Sequence, residues 1–220
     1  MGGYNGAQCV TALGHCVFPL AAATRSSLES RFYSSASTLS SIMSSASPEN
    51  ILLYLPPAQE QAINDVFAEL ATRGFPQQYQ RPHITITFAK GMAPAAIDTA
   101  ARLLPPLIPA TFARVGTVIF GTKSKQTIAW LLETDARLEA AARAISAANP
   151  EGRGDRWTPH LTMGLRISRR LVPDYIAALD DIARARRISR TADSHSLSEF
   201  TASQAAYWKP QSQELRIFGE

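Results

Sequence analysis

Cysteine is scarce in this 220-residue chain: Cys9 and Cys16 are the only two, both near the start. Their spacing fits no zinc pattern, and no second pair exists to complete one. The rest of the chain has no thiol, so it is neither a disulfide scaffold nor a thiol enzyme, and a reducing compartment is the default expectation. No apolar run is long enough to span a bilayer. No P-loop, GxSxG element or dinucleotide-binding glycine fingerprint occurs. A long Lys/Arg block is missing too. The formal net charge is +4, and its scattered charges are compatible with a phosphate-bearing partner without specifying one. Histidine is sparse too, at four residues.

What is present is enough for a sizeable core: 45% of residues are hydrophobic and 18% charged, which suits one large domain or two small lobes. Residues 1–48 differ from the rest. They are Ser-rich, nearly free of acid and without apolar period, and read as a disordered or targeting tail. The segment "RFYSS" resembles a mitochondrial presequence cleavage site. A plain disordered tail, or an over-extended start with Met43 as the initiator, are the other readings of this stretch. The expected location is cytoplasmic, with mitochondrial targeting by the tail as the alternative.

Residues 49–220 read as the folded domain. "NILLYLPP" is a buried strand stopped by two prolines. "AQEQAINDVFAELATRG" is a helix, with Ile63, Val66, Phe67 and Leu70 at helical spacing and Gly74 ending it. "HITITFA" alternates and is β-branched, so it is a strand. A short helix, "APAAIDTAARLL", precedes two strands, "TFARVGTVIFGT" and "QTIAWLLET". A helix capped by Asp135 follows, then the strand "WTPHLTMGLRI", the helix "LVPDYIAALDDIARA", and two closing strands, "HSLSEFTASQAAYW" and "QELRIFG". The second half approximately repeats the first. The expected fold class is α+β: a bilobal pseudo-twofold duplication, with two antiparallel-rich sheets flanked by helices around a central cleft.

Each half contains one strand with a histidine at its start. Both read Pro-His-(Ile/Leu)-Thr: Pro82-His83-Ile84-Thr85 and Pro159-His160-Leu161-Thr162. At ordinary residue frequencies about one histidine in several hundred has such neighbours. In a strand, residues i and i+2 share a face. His83 therefore projects with Thr85 and His160 with Thr162, while Ile84 and Leu161 point into apolar packing. The prolines suit a strand's first residue. If the halves pack about a pseudo-twofold axis, two imidazoles and two hydroxyls line one cleft. That set suits phosphodiester chemistry without a metal. One ring accepts a proton and the other donates one near neutral pH. The threonine hydroxyls donate to non-bridging phosphate oxygens. Which histidine is the acid is open.

The paired H-x-T elements resemble the 2H phosphoesterase superfamily, which includes 2′-5′ RNA ligase-like proteins and RNA 2′,3′-cyclic phosphodiesterases. The resemblance covers residues 49–220. It implies a bilobal fold, no required metal or other cofactor, and catalysis by His83, Thr85, His160 and Thr162. The implied activity is hydrolysis of 2′,3′-cyclic phosphates on RNA ends or nucleotides, in RNA processing. A 2′-5′ RNA ligase or 2′-5′ phosphodiesterase, and a non-catalytic nucleotide-binding module of the same fold, are the alternatives. A monomer with no membrane partner is expected. The chain departs from the family where bacterial relatives often have Arg, here Thr87. It departs again where they have a short Leu-Ala-Arg, here Met163-Gly164-Leu165-Arg166.

Around the quartet, Arg81 and Arg166 flank the motifs and are the better phosphate contacts. Trp157 is placed to wall the cleft. Tyr207 and Trp208 either stack a base at its edge or pack in the core. The loop "EGRGDR", residues 151–156, either orders around phosphate or is a plain connection. A metal site would need a third ligand that the spacing does not offer. His195 lacks the proline and has Leu197 at i+2, so it reads as a strand or loop residue.

Overall fold

A computed structural model describes residues 47–188 and 196–219 of the chain. The readings of residues 1–46 and of His195 lie outside the described residues. The architecture is α+β. In chain order the elements are β1 (Glu49–Tyr54), α1 (Pro57–Thr72), β2 (His83–Ala89), α2 (Pro94–Leu103), β3 (Ala110–Phe120) and β4 (Lys125–Glu133), then α3 (Ala136–Ala147), β5 (His160–Ser168), α4 (Val172–Ile188), β6 (Glu199–Ala202), β7 (Gln204–Lys209) and β8 (Glu214–Ile217).

Local chemistry accounts for the helix ends. Pro57 opens α1, where its missing N–H has no intrahelical partner to lose. The chain leaves α1 through Gly74 at φ 88°, a conformation that glycine adopts without steric cost. Asp135 caps α3 by accepting from the N–H groups of Arg137 and Leu138, which satisfies two otherwise orphaned donors. Ile63, Val66, Phe67 and Leu70 form the buried stripe of α1.

The duplication predicts two sheets; the described strands form one. Its order is β6-β3-β4-β5-β2-β1-β7-β8, and every neighbouring pair is antiparallel. The two-sheet expectation is corrected: β2 and β5 join the strands into one sheet, through a narrow waist of a single residue pair, Ile84 with Leu161. Separate sheets would leave β2 and β5 as edges with unpaired backbone groups, which the join avoids. Nor does each half of the sheet correspond to one half of the chain. β1 and β2 sit beside β7 and β8, and β3 and β4 beside β5 and β6.

The stretch from 195 to 208 reads as one strand in the sequence. The structure divides it at Ser203: β6 pairs with β3, and β7 with β1. Strands are about 4.8 Å apart within a sheet, so in a flat one β6 and β7 would lie tens of ångströms from each other. A one-residue link forces the sheet to curve until they meet. Ser203 N–H donates to Tyr54 O at 2.8 Å at that junction. Ile51, Leu53, Ile84, Trp130, Leu161 and Phe200 all belong to one buried cluster with the helices. A smaller cluster of Leu52, Tyr54 and Ala206, with Trp208 and Ile217 against it, contains no helix residue. It marks the opposite face of β1, β7 and β8.

Candidate active site

The waist of the sheet carries both H-x-T elements. Ile84 and Leu161, the middle residues, are fully buried and paired with each other. Antiparallel register about that pair sets His83 across from Thr162 and Thr85 across from His160. The four polar side chains are partly exposed, on the face opposite the two buried ones, as the period of two requires. The ladder across the seam is one residue pair long.

The two rings are held alike. His83 Nδ1 lies 2.7 Å from Arg81 O, and His160 Nδ1 lies 2.7 Å from Thr158 O. A carbonyl only accepts, so each Nδ1 carries the proton and each neutral ring keeps its lone pair on Nε2. The intervening prolines have a second use here. Each restricts the residue before it to extended backbone and so fixes the carbonyl that holds the ring. Among the described residues no protein hydrogen bond occupies either Nε2, nor the hydroxyl of Thr85 or Thr162. Each ring also has an aromatic neighbour. Tyr54 meets His83 edge-on, with centroids 6.5 Å apart, and Phe120 lies 4.6 Å from His160.

Both histidines bind protons less readily than a free imidazole. Burial is the main cause for each, because a low-dielectric surround disfavours the charged form. Arg81 adds to the effect at His83; the charges of His83 and Arg153 add to it at His160. The carbonyl bonds to Nδ1 oppose the shift in both. The charge of His83 is thus felt at His160, across the seam.

Beyond the motif, β2 carries a bulge. Leu52 pairs with Thr85 but Ile51 pairs with Thr87, and the extra residue, Ile86, exchanges the two faces of the strand. Thr87 therefore turns inward and is buried, while Phe88 turns out and is 51% exposed. Asn149, itself only 2% exposed, donates to Thr87 Oγ1 at 2.8 Å and to Phe88 O at 3.1 Å. Glu151 accepts from Lys90 N–H at 3.0 Å. Gly152 is packed so closely that a Cβ would stand 3.0 to 3.1 Å from Asn149 O, Ser146 O and Thr87 Oγ1. These bonds fasten the 149–156 loop to the second half of β2. The result is a pocket of about 130 Å³ bordered by Thr85, Phe88, Arg153, Arg156, Trp157 and His160 among others.

The remaining sequence-predicted residues separate. Trp157 borders the pocket, and its Nε1–H donates to Thr85 O at 3.0 Å, so it braces the first motif from the approach to the second. Arg81 stands by the first motif, but its guanidinium is taken up by Glu60 at 2.7 Å and by the Tyr54 ring at 3.6 Å. It acts on His83 through its carbonyl, which holds the ring, and through its charge. Tyr207 and Trp208, adjacent in β7, point to opposite faces. Tyr207 is buried in the main core with its hydroxyl donating to Glu49 Oε2 at 2.6 Å, which removes it from the cleft. Trp208 packs with Leu52, Tyr54 and Ala206 on the His83 face. Arg166 is exposed at φ 58°, within the second of the two register shifts of the β4–β5 ladder, between Gly164 and Ile167, and does not border the pocket. At the first of these shifts Gly164 is obligatory: a Cβ would lie 2.9 Å from the Tyr175 ring, whose hydroxyl donates to Met163 O.

Sequence reasoning passed over Phe120 and Asn149, and offered the 151–156 loop, with Arg156, only as one of several places that could meet phosphate. The bulge is why: period-two reading carried past Thr85 assigns Thr87 and Phe88 to the wrong faces. Among the described residues no group of three or more His, Cys, Asp or Glu side chains is arranged to hold a metal ion, and no helix is long and apolar enough to cross a membrane.

No family model matches the chain, and no curated protein does. Among solved structures, the chain is similar to Kluyveromyces marxianus Usb1, with a TM-score of 0.44 at 14% identity over 79% of this chain and 98% of that one. A second structure of that protein, with uridine monophosphate, matches at a TM-score of 0.44 and 15% identity over 79% of this chain and 99% of that one.

Proposed function

We propose that the chain is a metal-independent phosphodiesterase of the two-histidine type, opening 2′,3′-cyclic phosphates at RNA ends or on nucleotides. The observation that carries this is the identical tethering of two rings. Each Nδ1–H is held by the carbonyl two residues upstream, which leaves two Nε2 atoms and two threonine hydroxyls unoccupied around one seam. Acid–base catalysis needs such a pair, one ring neutral and one protonated.

The neutral ring takes a proton from water as its oxygen attacks phosphorus. The bond from phosphorus to one ribose oxygen breaks, and the protonated ring delivers its proton to that oxygen. One proton enters the pair and one leaves it, so each turnover exchanges the protonation states of the two rings. The Thr85 and Thr162 hydroxyls donate to the non-bridging oxygens as negative charge builds there. The roles of the rings reverse when the reaction runs backwards.

The test is turnover of a 2′,3′-cyclic nucleotide or cyclic-ended short RNA in EDTA, with the phosphate position of the product determined. Activity is expected for the unaltered protein, with losses of about 10²- to 10⁴-fold in His83→Ala and in His160→Ala. Undiminished turnover in those variants would overturn the reading. A parallel panel of 2′-5′ and 3′-5′ dinucleotides separates cyclic-end hydrolysis from action on 2′-5′ linkages.

A further inference from the structure

The pocket beside the quartet is lopsided. It borders Thr85 and His160 but not His83 or Thr162, so the site has a direction. On that side lie Arg153 and Arg156, exposed, and neither belongs to an ion pair among the described residues. Arg153 is near enough that its charge bears on His160. The one carboxylate at the rim, Glu151, is engaged by Lys90 N–H through Oε2. Phe88, half-exposed, completes the border with an aromatic surface.

These groups do not ride on a free loop. Buried Asn149 ties the loop to Thr87 and Phe88, Gly152 N–H donates to Asn149 O at 2.9 Å, and Ser146 Oγ donates to Arg156 O at 3.3 Å. The backbone that carries the arginines is thus held next to the quartet, so only their side chains remain to be ordered on binding. A single cyclic phosphate held by the quartet leaves this cationic pocket unused.

We infer that the pocket is a subsite for the nucleotide next to the reacting one. Arg153 and Arg156 hold its phosphate and Phe88 stacks its base. The preferred substrate is then an oligonucleotide end carrying at least two phosphates, rather than a free cyclic mononucleotide. This rests on the phosphodiesterase reading for the reacting phosphate, but the subsite is measurable without turnover. Guanidinium–phosphate contacts and base–aromatic stacking are the recognised sources of such binding, and the phosphate part is salt-sensitive.

The experiment is calorimetric titration of the full chain with a nucleoside monophosphate and with the dinucleotide ending in that same monophosphate, in both 2′- and 3′-phosphate forms. A mononucleotide bearing a second, 5′-phosphate separates the phosphate contribution from the base contribution. The dinucleotide is expected to bind at least about tenfold tighter, with a log–log salt slope steeper by about 0.7. Arg153→Gln and Arg156→Gln should each remove most of that advantage, and Arg→Lys at either position should keep part of it. Equal binding of the two ligands, or an advantage intact in both Gln variants, overturns the subsite. Turnover of the cyclic forms is followed in parallel. Turnover without the advantage removes the subsite alone; the advantage without turnover keeps the subsite and removes the enzymatic reading.

Discussion

At the scale of single residues, the two Pro-His-x-Thr elements were legible because four residue types recur at one spacing. The Nδ1 tether was not read from the motif, although the carbonyl before each proline is the one its ring uses. Burial could not be read from the motif, and it sets the pH behaviour. Both rings have proton affinities below the ordinary value of 6.5. The acid must be protonated, and that form disappears as pH rises through the lowered value. The profile of kcat/KM, which reports the free enzyme, should therefore peak below pH 6.5 and fall on the alkaline side. Activity constant or rising from pH 6.5 to 8 would contradict the assignment of these rings as acid and base. Tyr207 and Trp208 show what a flat reading of neighbours misses. Alternation sends one to the core and the other to the His83 face, and only strand register says which.

At the scale of elements, strands and helices followed from periodicity and from proline and glycine punctuation, and β2 begins at the very histidine that the pattern marks. The bulge after Thr85 was illegible. It depends on which residue of β1 faces which residue of β2, and that is a tertiary choice. Through it, Thr87 becomes an anchor for the 149–156 loop at the border of the pocket. The guanidinium groups beside the pocket come from that loop, on Arg153 and Arg156. Asn149→Ala removes both bonds to β2 and leaves the buried Thr87 hydroxyl without its partner. The expected cost is about 1 to 3 kcal/mol, read as a lowered midpoint in urea at unchanged slope. An unchanged midpoint would mean that the loop is held by other contacts.

At the scale of the whole molecule, the α+β class was evident from the element order, but the single sheet was not. A sequence shows where strands lie, not that two half-sheets share an edge pair, nor that Ser203 links strands from opposite ends of the sheet order. The proposed function rests on that closure: the same pair that joins the halves, Ile84 with Leu161, sets each histidine opposite the other motif's threonine. The central claim is that the two motifs act as one unit across this seam. The most direct measurement is kcat/KM on a cyclic-ended RNA for His83→Ala, His160→Ala and the double variant, with folding of each verified. A cooperating acid–base pair predicts a double variant no worse than about the more severe single one, because removing either partner already disables the exchange. Losses that multiply would instead mean that the rings act independently, and the account of one shared site would fail.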